Sequence, residues 1–190
     1  AHQPAYPFAV FKCTGIGSFS ALVAASEGSS LSAKQTEELA ELSTRVNQLC
    51  ALAAHHKVKI LIDAEETWIQ QAIDELAVAN MRELNHEQVI VYNTIQLYRT
   101  GRIAEIQRQI AAARASDYKI GFKLVRGAYM EKERLRAAEK GYVSPIQVSK
   151  ENTDSDYDEA LRLCFENRDV VSVMAGTHNE ASSYLLAKLI

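Results

Sequence analysis

Short apolar runs alternate along this chain with longer stretches of helical periodicity, and that alternation limits the folds open to it more than any other feature. The runs are Phe8–Phe11, Val58–Ile62, Val89–Tyr92, Ile120–Val125 and Val170–Met174. Each has the length of a strand and is nearly continuously apolar, which is the pattern of strands covered on both faces in parallel sheets. Parallel neighbours need a crossover connection of about a dozen residues or more, usually a helix. The alternation therefore predicts an α/β fold of about five parallel strand-helix units. Periodicity alone does not separate an open doubly wound sheet from part of an eight-stranded barrel. A complete barrel takes about 250 residues. On the barrel reading, 190 residues make one domain, 1–190, a partial (β/α)8 TIM-like barrel with terminal strands missing. Truncation is expected at the C-terminus and, since the chain opens on Ala1 and not on methionine, at the N-terminus too.

The helix between the first two runs is the most clearly written. Leu39, Leu42, Val46, Leu49 and Ala53 recur at helical spacing, and Ser32 with Gln35 forms a capping-box pattern, so a helix is expected over 32–56. Further helices are expected over 68–83, 97–115, 128–140, 154–167 and 180–189, with turns at 28–30 and 175–179. Composition is that of an ordinary globular chain, 47% hydrophobic and 24% charged. The net charge of −3 offers no global positive field for nucleic acid. No apolar run approaches the roughly 20 residues of a spanning helix. Cys13, Cys50 and Cys164 are odd in number and lack a CxxC spacing, which fits a reducing compartment.

Function is written at the ends of the apolar runs. Parallel α/β folds carry ligands at the C-terminal ends of their strands, and nearly every run here ends in an ionisable or amide group. Lys12 follows the first run, Asp63 and Glu65 the second and Gln96 the third, Lys123 and Arg126 mark the fourth, and Thr177-His178-Asn179 follows the fifth. Lys12 is either a strand-end lysine with its stem on apolar surface or a functional cation. Asp63 is either the N-cap of the next helix or the partner that would keep Lys12 ionised in a buried setting. Lys123 lies between Phe122 and Leu124, and strand alternation turns it to the opposite face, toward the barrel interior. Arg126, followed by Gly127 and Ala128, is either a turn arginine or an anion clamp beside a small-residue turn that lets a ligand approach the backbone.

Other chemistries find little support. His178 has no companion at ligand spacing, so no metal site is expected. Gly15-Ile16-Gly17 lacks the third glycine of a dinucleotide fingerprint, and no phosphate-binding GxxxxGK[ST] loop exists. No nucleophile elbow is present. A barrel lyase using Lys123 as a Schiff-base amine, and a non-catalytic barrel fragment, remain as alternatives.

In order along the chain, Phe11-Lys12, Asp63-Ala64-Glu65, Tyr92-Asn93-Thr94-Ile95-Gln96-Leu97-Tyr98, Lys123-Leu124-Val125-Arg126-Gly127-Ala128-Tyr129 and Thr177-His178-Asn179-Glu180 resemble successive strand ends of the proline dehydrogenase family. The last two strings together are specific, and the resemblance spans essentially the whole chain. It implies a distorted (β/α)8 barrel that binds FAD and oxidises L-proline to Δ1-pyrroline-5-carboxylate, passing electrons to a quinone. It further implies a cytoplasmic protein, peripheral at the inner membrane, or a mitochondrial one in a eukaryote. By position, Lys12 and Asp63 resemble the family's substrate-pocket ion pair, with Lys12 near the proline carboxylate, and Tyr129 resembles a substrate-pocket residue. Lys123 resembles the basic group beside flavin N5, where many bacterial relatives carry arginine. Gln96 and Arg126 resemble flavin or pyrophosphate contacts, and Thr177, His178 and Asn179 the stretch that holds the phosphate-to-adenine part of FAD. Family members continue into a closing segment with a tyrosine and two adjacent arginines over the proline carboxylate, which is not found before Ile190. The expectation is that this chain alone oxidises little or no proline and binds FAD weakly or not at all.

Overall fold

A computed structural model describes residues 7–190 of the chain. Its strands are β1 (Phe8–Phe11), β2 (Lys59–Ile62), β3 (Val91–Gln96), β4 (Ile120–Val125) and β5 (Val171–Ala175). Its helices are α1 (Phe19–Ser26), α2 (Ala33–His55), α3 (Thr67–Leu84), α4 (Arg102–Ala115), α5 (Met130–Lys140), α6 (Lys150–Glu166) and α7 (Glu180–Leu189). The strands form one sheet in the order β1-β2-β3-β4-β5, and the pairs β1·β2, β2·β3 and β4·β5 are parallel. The expected α/β class with parallel strands joined by helices is borne out. Contacts divide the chain into two compact units, one up to Asn93 and one over Thr94–Ile190.

In the first unit α1, α2 and α3 pack on one another and bury Leu22, Leu42, Val46, Ile69, Ile73 and Met81. Helix α2 starts as its sequence requires. The Ser32 hydroxyl accepts from the Gln35 N–H, and the Gln35 side chain accepts in return from the Ser32 N–H at 3.0 Å. Helix α1 was not anticipated. Ser18 caps it, accepting from the Ala21 N–H at 3.4 Å, but eight residues make too short a periodic signal to read in advance.

In the second unit α4 and α6 pack against β4, and α6 also against β5 and α7. Phe122 and Leu124 are fully buried, while Lys123 and Val125 share the other, half-exposed face. Strand β3 differs from expectation, running from Val91 to Gln96 instead of 89–92. Its C-terminal half is polar yet buried, with Thr94 and Gln96 no more than 4% exposed, so an apolar-run criterion stops short of it. The following helix starts at Arg102 and not at Leu97, because β3 first leads into a turn that Gly101 closes at φ +76°. Gly141, at φ +72°, ends α5 in the left-handed conformation usual after a helix. Cys13, Cys50 and Cys164 are buried free thiols. Burial pushes each up to about 12, with Glu65 adding to it at Cys13, so all three are packing groups near neutral pH.

Candidate active site

Lys12 and Asp63 leave neighbouring strands at the same level. The β1–β2 register ends at Phe11↔Ile62, and the Asp63 N–H donates to the Phe11 carbonyl at 2.9 Å. Lys12 is exposed and Asp63 half-buried. Asp63 is not the cap of the next helix: the N-cap of α3 is Glu66, which makes no side-chain capping bond. A buried polar relay fixes the turns that follow these residues. Both oxygens of Glu65, 3% exposed, accept from Thr14, from its N–H at 3.0 Å and from its hydroxyl. The Glu65 N–H donates to Gln70, the Gln70 amide to Asp74 at 2.8 Å, and the Asn93 amide to the same Asp74 oxygen at 2.8 Å.

In the second unit the ends of β3, β4 and β5 adjoin. The N–H groups of Leu97 and Tyr98 donate to the carbonyls of Val125 and Arg126 at 2.8 and 2.7 Å, and that of Gly176 donates to Leu124 at 2.8 Å. Gln96, buried at the end of β3, thus adjoins the β4 exit. Lys123 pairs with Met174 in register, and its Cε lies 3.8 Å from where a β-carbon on Gly176 would stand.

Arg126 is the centre of this unit's polar network. Its Nε donates to Asp154, its Nη1 to the Thr177 hydroxyl at 2.8 Å and its Nη2 to the Ser182 hydroxyl at 3.0 Å. Its guanidinium carbon lies 4.3 Å from the centre of the Tyr157 ring. Asp154 also takes the ammonium of Lys150, and the Ser182 hydroxyl donates to Asp158. With a side chain only 21% exposed, Arg126 is no free turn arginine. Thr177 accepts a second bond, from the Asn179 N–H at 3.0 Å, and the Asn179 side chain caps α7 through the Ser182 N–H at 3.0 Å. The structure thus brings Arg126, Thr177 and Asn179 together, whereas His178 is exposed and Tyr129 lies half-buried at the start of α5. Sequence reasoning missed Asp154, Tyr157 and Ser182. For the first two the one signal is spacing, since Lys150, Asp154, Tyr157 and Asp158 fall on one face of α6; Ser182, on α7, has none.

Beside Arg126 opens a cleft of about 740 Å³ lined by the turn from Arg126 to Tyr129, by α5, and by residues 146–150. Arg126, Lys132, Arg134 and Lys150 give its wall positive charge, against Glu131. Gly127, at φ +133°, lies against Tyr98, whose ring atoms come within 2.5 Å of the point a β-carbon would occupy. Among the described residues no group of three or more His, Cys, Asp or Glu could hold a metal ion.

The sequence matches the family model described as Proline dehydrogenase over residues 12–190. The chain belongs to the proline dehydrogenase family. The resemblance carried by the strand-end strings is thereby borne out. Proline dehydrogenase 1, mitochondrial, of Drosophila melanogaster is 32% identical over 157 residues, which covers 77% of this chain and 23% of that protein. Hydroxyproline dehydrogenase of Xenopus laevis is 34% identical over 152 residues, 76% of this chain and 33% of that protein. The chain therefore spans about a quarter to a third of these two proline dehydrogenase family relatives. A crystal structure of a bifunctional proline utilization A (PutA) protein superposes on all of this chain and 18% of its own with a TM-score of 0.82 at 24% identity, a likeness of fold.

Proposed function

We propose that the protein oxidises L-proline to Δ1-pyrroline-5-carboxylate with FAD as cofactor and a quinone as electron acceptor. The observation that carries the reading is the network joining Arg126 to Thr177 across the β4 and β5 exits, beside a positively walled cleft, in a chain of this family. The residues fit a flavin dinucleotide. Arg126, Lys132, Arg134 and Lys150 in the cleft lining, the first and last of them shared with Asp154, suit a doubly charged pyrophosphate, and the volume lies within the usual range of cofactor sites. FAD held there would supply the two-electron acceptor that oxidation of the proline C–N bond to C=N requires, the nitrogen proton passing to solvent.

The chain's own residues bind and orient. Lys12 takes the proline carboxylate, and Asp63 stands at the end of the neighbouring strand beside it. Tyr129 lines the substrate pocket. Lys123 stands at the redox edge of the flavin, where a cation favours the electron density that arrives on reduction. Gln96, Arg126, Thr177, His178 and Asn179 hold the rest of the cofactor. Residues 1–190 belong to one barrel domain in this reading. No described helix is long and apolar enough to cross a membrane, and the reading places the protein peripherally at the membrane that holds the quinone.

The test is spectroscopic. The full-length protein, purified with FAD, is expected to be yellow and to lose that colour anaerobically on addition of L-proline. Hydroxyproline in a parallel cuvette distinguishes the two substrate names carried by relatives. A yellow protein that bleaches with neither amino acid contradicts the proposal.

A further inference from the structure

We infer that Asp154 and Tyr157 are positioning residues: from one face of α6 they fix the plane of Arg126, and through it the turn Thr177–Asn179 that leads into α7. The inference rests on the flavin reading only for its functional consequence. An arginine at a strand exit has long, free side-chain rotation, and a cation that holds a cofactor must lose that freedom before the cofactor arrives. Here each edge of the guanidinium is committed to a different element, Nε to α6, Nη1 to the β5 exit and Nη2 to α7, and one face rests on the fully buried Tyr157 ring. The Tyr157 hydroxyl donates to the Leu124 carbonyl at 3.4 Å, which ties the platform to β4. Three bonds and a stacked ring leave one orientation of the planar fork.

Asp154 has two cations, Arg126 and Lys150. Its charge offsets that of Arg126 and pins it, so the cation is a held frame and not a mobile clamp. The consequence passes to Thr177. Its hydroxyl oxygen accepts from Arg126 and from the Asn179 N–H, and Asn179 in turn caps α7 at Ser182. If Asp154 loses its charge, Arg126 loses its strongest tether, and the bonded series through Thr177, Asn179 and Ser182 loosens with it.

The experiment compares Asp154→Asn, Tyr157→Phe and Tyr157→Leu in the full-length protein by amide hydrogen exchange without flavin and by FAD titration. Asp154→Asn is expected to speed exchange at Asn179 and Ser182 by about tenfold or more, with α2 unchanged, and to weaken FAD binding by a similar factor. Tyr157→Phe keeps the stacking ring and is expected to stay near wild type, whereas Tyr157→Leu follows Asp154→Asn. Arg126→Lys keeps the charge but loses the fork, and if Asp154→Asn does not fold it is expected to show the same local loosening. Unchanged exchange in Asp154→Asn, or in Arg126→Lys where that variant stands in, overturns the inference. Faster exchange with unaltered FAD affinity overturns its functional part. Faster exchange in a protein whose wild type binds no FAD supports the positioning and rejects the flavin reading instead.

Discussion

Gly127 and Asp154 show how single residues set this site. At φ +133° and with the Tyr98 ring where a β-carbon would stand, Gly127 tolerates no side chain without moving β4's exit or the buried tyrosine. Gly127→Ala is expected to cost about 2 kcal/mol or more in denaturant unfolding, with Ala128→Gly nearly neutral as a control. At Asp154, burial alone would raise the carboxyl, but hydrogen bonds from Lys150 and Arg126 outweigh it and hold the group below its ordinary value. A depressed carboxyl stabilises the fold above its unfolded pKa of about 3.9, and the contribution disappears as pH falls through the folded value. Asp154→Asn is therefore expected to lower stability at neutral pH and to flatten the loss seen in wild type below about pH 4, read as melting temperature against pH. Gly127 was legible as part of a small-residue turn. The ring beneath it was not, because Tyr98 lies 29 residues earlier and nothing local announces the contact.

Among the elements, legibility followed the locality of the interactions. Helix α2 is specified by its own residues, a capping box and a long apolar stripe, and its bounds fall within a residue of expectation. Ser32→Ala is expected to destabilise by about 1 kcal/mol, measured by urea unfolding. Strand β3 was cut short because Asn93, Thr94 and Gln96 are polar and nonetheless buried. Asn93 finds its partner 19 residues earlier in the chain, at Asp74. The Glu65 relay is another case: the residue stands beside the Asp63 that the sequence singled out, but its tie to Thr14 joins segments 51 residues apart. Glu65→Ala leaves the Thr14 N–H without its acceptor and is expected to cost about 2–4 kcal/mol, again in denaturant unfolding. The framing of Arg126 by α6 and α7 was hidden for the same reason, since Asp154 and Ser182 lie 28 and 56 residues away.

For the molecule as a whole, the alternation of apolar runs and amphipathic segments was enough to establish a parallel α/β sheet, because parallel strands admit few other connections. In each unit the polar candidates stand near the C-terminal ends of strands, where such sheets bind ligands: Lys12 and Asp63 just beyond β1 and β2 in the first, and Gln96, Lys123, Arg126 and Thr177 at, near or just beyond the ends of β3, β4 and β5 in the second. Membership of the proline dehydrogenase family gives that arrangement a chemistry to be tested. The central claim is that these strand ends serve flavin-dependent amine oxidation, and the most direct measurement is the anaerobic spectrum of the FAD-loaded full-length protein before and after L-proline. The account predicts loss of the oxidised-flavin absorbance in wild type, slowed by about tenfold or more in Asp63→Asn. An oxidised spectrum that persists in wild type at saturating proline would contradict it.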